Sequence, residues 1–73
     1  MAAIPIEYTI YGHLREGDWI AHRSSVAEVL ANEPIYNLRA LTLRCARTGA
    51  KEIHYVGGTR LCTRILPVEE DAF

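Results

Sequence analysis

Short runs of alternating apolar and polar residues, cut by glycine, proline and asparagine, dominate this chain and direct it to a β fold. The clearest run spans residues 38 to 46. There Leu41, Leu43 and Cys45 fall on one side, and Ala40, Thr42 and Arg44 on the other. Successive side chains of a strand point to opposite faces, so a period of two marks a half-buried strand. Residues 4 to 10 alternate in the same way, with Ile4, Ile6, Tyr8 and Ile10 opposed to Glu7 and Thr9. Further strands are predicted over residues 19 to 22, 51 to 56 and 59 to 66. Turn chemistry separates them at Glu16-Gly17-Asp18, Arg23-Ser24-Ser25, Arg47-Thr48-Gly49-Ala50 and Gly57-Gly58, where glycine accepts a positive φ and Asp or Ser bonds nearby backbone.

Two readings compete over residues 26 to 31. Ser25 and Glu28 have the spacing of a capping box, and Val26, Val29 and Leu30 share a helical face, which gives one short helical turn near 25–32. The strand reading sets Ala27, Val29 and Ala31 against Val26, Glu28 and Leu30. It is preferred, because a helix of one or two turns has little stability of its own. Asn32-Glu33-Pro34-Ile35-Tyr36-Asn37 is read as a connection, since Pro34 removes a donor and asparagine favours turns.

The chain has 73 residues, enough for one domain with a single thin core. The expected fold is all-β: a small barrel of five or six short antiparallel strands over residues 1–68, followed by an acidic, disordered tail over 69–73. The expected core is Ile6, Tyr8, Ile10, Trp19, Val29, Leu41, Leu43, Ile53, Leu61 and Ile65. The segment Leu14-Arg15-Glu16-Gly17-Asp18-Trp19-Ile20, followed by a valine-bearing strand and the Thr48-Gly49 hairpin, resembles small SH3-like β-barrel proteins, many of them from actinobacteria and their phages. The resemblance covers residues 14 to 66. The Gly17-Asp18 strand opening is also similar to that of KOW-type modules, which bind RNA or protein, but Ser24 and Ser25 stand where that pattern carries glycine. The resemblance implies the fold; the SH3-like barrel hosts many unrelated functions.

Net charge is −1, so the molecule as a whole is not a general binder of polyanions. No apolar run approaches the roughly 20 residues that span a bilayer, and the N-terminus lacks the pattern of a signal peptide. A cytoplasmic protein with no membrane role is expected. The two cysteines, Cys45 and Cys62, are read as reduced residues of the sheet. The spacings of His13, His22, His54 and the cysteines match no metal motif, and no catalytic motif or cofactor loop is present.

Charge is unevenly distributed along the chain. Arg39, Arg44, Arg60 and Arg64 lie in the C-terminal half, and if the last strands are neighbours they share one face. Such a face attracts phosphates or an acidic protein. Tyr11 and Tyr36, at a strand end and in a loop, are the aromatic contact candidates. The expected function is that of a non-enzymatic binding module with a protein partner. A nucleic-acid-binding module using the four arginines is the alternative, and a small enzyme a remote third. Open strand edges also allow a homodimer.

Overall fold

The computed structural model describes residues 5 to 66, which form six antiparallel strands of one sheet. Ile4 and the proposed tail lie outside the described residues. The strands are β1 (Ile6–Ile10), β2 (Trp19–His22), β3 (Ser25–Ile35), β4 (Leu38–Cys45), β5 (Lys51–Gly57) and β6 (Leu61–Ile65), with a 3-10 turn, η1 (Tyr11–His13), after β1. Their order across the sheet is β1-β6-β2-β3-β4-β5. The expected all-β antiparallel architecture is present. The sheet does not close into a barrel, however: β1 and β5 are its two ends, with no ladder between them.

The open sheet makes a core by curling. β2 and β5 are separated by two strands, which would set them about 14 Å apart in a flat sheet. Yet His22 Nε2 lies 3.3 Å from Glu52 Oε2, and the rings of His22 and His54 are 5.1 Å apart. The concave side thus folds over Leu14, Ile20, Ala27, Val29, Leu41, Leu43, Val56 and Cys62. Each of the large, fully buried side chains Ile20, Val29, Leu41 and Leu43 contributes about 1.5–3 kcal/mol by leaving water.

Three members of the expected core, Val29, Leu41 and Leu43, are in place. Ile6, Tyr8, Trp19, Ile53 and Leu61 are instead exposed, and Ile10 and Ile65 half-buried. In β1, β2, β5 and β6 the face that turns inward is the opposite of the expected one. The register fixes this. Ile20 pairs with Ala27, Thr9 with Cys62, and Leu41 with His54, and directly opposed residues point to the same side of a sheet. The inside of a tight curl converges, so small residues such as Ala27 and Cys62 fit there while bulky ones have room outside.

Residues 26 to 31 are strand, and β3 continues well past them. The expected connection at 32 to 37 shrinks to the turn Tyr36-Asn37 between the paired residues Ile35 and Leu38. Pro34 fits because the pair beside a two-residue turn is hydrogen-bonded and the next pair is not. Pro34 pairs with Arg39 at that second position, where an N–H would point away from β4. Tyr36 adopts φ 54°, a left-handed conformation unusual for a bulky residue.

A register shift between Val29 and Ala31 places one extra residue, Leu30, in β3. The inward positions therefore change from odd to even numbers, and Asn32 turns into the concavity opposite Leu41. Its side-chain amide donates to the carbonyl oxygens of Tyr11, at 2.9 Å, and Leu14, at 2.8 Å. Arg39 Nε donates back to Asn32 Oδ1 at 2.9 Å. This ties η1 to the middle of the sheet. Gly12 completes the junction: its N–H donates to the Gly58 carbonyl oxygen at 2.8 Å, and a Cβ there would sit 3.1 Å from that oxygen.

Asn32→Ala removes both donors and is expected to cost about 2 kcal/mol, lowering Tm by roughly 8–16 °C in a domain of this size. Thermal melts followed by circular dichroism check this. Acid acts on the curl through His54. Burial, followed by the neighbouring His22 imidazole, pushes the His54 pKa down; Glu52 opposes this, while Arg23 and Arg60 reinforce it. The folded state therefore favours neutral His54, and its stability contribution is present above about pH 6.5, the ordinary imidazole value, and is lost as pH falls through the lower folded value. Tm should fall between pH 7 and 5, and less steeply in His54→Gln, whose other nearby groups, Tyr11 included, are unchanged.

Candidate functional site

The four arginines do not share a face. β4 and β6 are separated by β2 and β3, and Arg39 and Arg44, five residues apart on one strand, point to opposite sides. Arg39 is held by the side chain and carbonyl oxygen of Asn32. Arg44 pairs with Glu28 on the convex side. Arg64 reaches Glu7 at 3.2 Å and Asp18 at 3.5 Å. Arg60 lies exposed beside the β5–β6 turn. Three of the four are thus hydrogen-bonded within the chain, and two of them, Arg44 and Arg64, have their charge met by carboxylates.

The tyrosines separate as well. Tyr36 stands at the β3–β4 tip, 98% exposed. Tyr11 packs against the core, its ring 6.1 Å from that of His54, and burial raises its pKa, helped by Cys62 and opposed by Arg60. It belongs to the η1 junction, where it is partly buried.

Clefts indent the described surface, two of them beside residues with reactive or charged side chains. One, of about 400 Å³, lies between Asp18, Trp19, Arg64 and Leu66. The second, of about 270 Å³, lies at the β2–β3 and β4–β5 turns and is lined by residues including His22, Arg23, Ser25, Cys45, Arg47 and Thr48. Small-molecule sites span about 300–1,000 Å³, so the second falls just below that range. Both cysteines are free thiols, with Cys45 half-buried and Cys62 buried. The Thr48 hydroxyl, then the backbone N–H groups of Thr48 and Arg47, bring Cys45 down to about 7; burial opposes them, and the Ser25 hydroxyl adds a smaller push. Desolvation, with Asp18 nearby, pushes Cys62 up. The groups acting on Cys45 are hydrogen-bond donors that favour a thiolate. Among the described residues no three His, Cys, Asp or Glu side chains converge as a metal-ligand set, and no helix is long and apolar enough to cross a membrane.

A further feature of the surface is apolar. Ile6, Tyr8 and Ile10 of β1, Leu61 and Ile65 of β6, and Trp19 of β2 lie on the convex side of three adjacent strands. Ile6 pairs with Ile65, Ile10 with Leu61, and Trp19 with Ile65. Tyr8 is 73% exposed, Leu61 72%, Ile6 46% and Trp19 38%. These side chains form one continuous band. Reading every alternating apolar face as core concealed it. The available signal was that Glu7 could meet Arg64, and Glu52 meet His22, inside a small curl while the bulkier face stayed out.

No family model, curated protein or solved structure matches this chain, so the site is argued from its geometry.

Cys45 should be alkylated by iodoacetamide with a half-maximal rate near pH 7, while Cys62 stays protected until the domain unfolds. Mass spectrometry of the two peptides reads both rates. Thr48→Val is expected to move the Cys45 midpoint up toward an ordinary thiol.

Proposed function

We propose that this chain is a non-enzymatic protein-interaction module whose contact surface is the convex band of β1, β6 and β2. The observation that carries this reading is the exposure of Ile6, Tyr8, Trp19 and Leu61 side by side on adjacent strands. A single exposed apolar side chain needs no explanation, whereas a contiguous patch on a small domain marks a surface that another molecule covers. Two aromatics in the band add weight, since Trp and Tyr supply much of the binding energy at protein interfaces. The ion pairs of Arg44 and Arg64 within the chain favour this reading over the nucleic-acid one, because phosphates would have to displace those carboxylates.

The role fits a cytoplasmic accessory protein working with reduced cysteines. With the resemblance of the Gly17-Asp18-Trp19 strand opening, it also fits an SH3-like module of the actinobacterial or phage kind.

The test compares capture of cellular proteins by the wild type, Leu61→Glu and Arg44→Ala. Leu61 is exposed, so its substitution should leave the melt within a few degrees. A stoichiometric partner retained by Arg44→Ala and lost from Leu61→Glu is expected. Capture indifferent to Leu61, or micromolar nucleic-acid binding that weakens steeply with salt, would overturn the reading.

A further inference from the structure

We propose that two copies of this chain join through β1, edge to edge and antiparallel, about a two-fold axis at Tyr8. The two ends of the sheet are unlike. β5 begins with Lys51 and curls inward, with Glu52 bonded to His22 and Arg23. β1 reads Ile6-Glu7-Tyr8-Thr9-Ile10, and its register with β6 runs unbroken from Ile6–Ile65 to Ile10–Leu61. Within its span it carries no lysine, proline or bulge, three of the devices that keep an edge strand from pairing, and its one charge, Glu7, is met by Arg64 on β6. Among the described residues its outer side has no neighbour.

The backbone sets which groups are available there. Tyr11 N–H donates to the Arg60 carbonyl oxygen, and Leu66 N–H to that of Pro5. Backbone groups in an antiparallel ladder alternate between the two sides of a strand. Residues 5, 7, 9 and 11 therefore spend theirs on β6 and its flanks, and the N–H and C=O groups of Ile6, Tyr8 and Ile10 point outward.

A second β1 related by an axis normal to the sheet must oppose residues of the same facing. That places the centre of symmetry on a residue, and matching at least two of Ile6, Tyr8 and Ile10 leaves Glu7, Tyr8 or Thr9. Centred on Glu7, the register sets two carboxylates against each other. Centred on Thr9, it opposes Tyr8 to Ile10 and leaves Ile6 unmatched within the strand. Centred on Tyr8, it pairs Ile6 with Ile10, Tyr8 with Tyr8 and Ile10 with Ile6, and all the outward groups are used in about six hydrogen bonds, two per pair. Glu7, already held by Arg64 at 3.2 Å, then faces Thr9 of the other copy. This register alone avoids like charge and satisfies the whole edge. The proposal rests on the contact-surface reading in one respect: the apolar bands of the two copies meet across β1 and become one.

The experiment is sedimentation of the full chain as wild type, Tyr8→Lys, Tyr8→Glu and an equimolar mixture of the two variants at low salt. The wild type is expected to be a dimer. Each variant places like charges opposite each other and should dissociate on the order of tenfold more readily, while the mixture, with opposite charges at the axis, should regain the dimer. A monomeric wild type, a dimer indifferent to both substitutions, or a mixture no tighter than its components would overturn the proposal. Amide exchange of the wild type gives a readout without substitution: protection of Ile6, Tyr8 and Ile10 supports the pairing, and free exchange at all three refutes it. A monomer that still captures its partner through Leu61 removes only the dimer, whereas a Tyr8-dependent dimer whose band captures nothing removes only the contact surface.

Discussion

A single sheet on which no other described element stacks can bury side chains only by bending over itself, and the other features of this domain follow from that bend. Among the described residues no helix layer or second sheet covers Leu41 and Leu43. Their cover is the far side of the same sheet, brought round until His22 of β2 touches Glu52 of β5. The bend is held at two places. At one end the His22, Glu52 and His54 side chains meet across the concavity. At the other Asn32 grips the carbonyl oxygens of Tyr11 and Leu14, and Gly12 comes against Gly58. Both ties are polar and reach between segments distant in sequence, so the core depends on hydrogen bonds at its rim as much as on its apolar content.

That dependence explains what could be read from the chain and what could not. β4 was legible because it lies in the middle of β3, β4 and β5, and its alternation agrees with the buried side. Strand positions were legible wherever glycine or the Arg23-Ser24 pair marked a turn. The inward faces of β1, β2, β5 and β6 were not, because alternation reveals two faces without saying which is buried. Hydrophobicity normally decides, and here it points the wrong way: Ile6-Tyr8-Ile10 is more apolar than Glu7-Thr9-Tyr11. The deciding facts are non-local. Glu7 faces inward because Arg64 is there to receive it, and Asn32 because one extra residue at Leu30 shifts the register. Neither can be seen from a single strand.

The same logic places the charges. The arginines of the C-terminal half suggested a basic surface because the acidic residues lay elsewhere in sequence. Folding brings Glu7, Asp18 and Glu28 to Arg64 and Arg44, and the segregation seen along the chain disappears in space. These pairs are at least partly solvated, and such ion pairs contribute little to stability, about 0–1 kcal/mol each. Their consequence is for recognition: they leave the surface with mixed charge, and its most continuous feature is apolar.

Curvature then connects the core to the contact surface. On the convex side of a bent sheet side chains diverge, so Trp19, Tyr8 and Leu61 stand apart from the interior while their strands remain rigidly paired to one another. A flat sheet of the same composition would need a second layer to cover that face within the molecule. The described residues spend their strands on closing over the inner face and keep no element for the outer one. Any cover for the outer band must come from outside the described residues. The band ends at β1, the strand whose outward backbone groups are also without a partner among the described residues, so apolar and hydrogen-bonding demands converge on one edge.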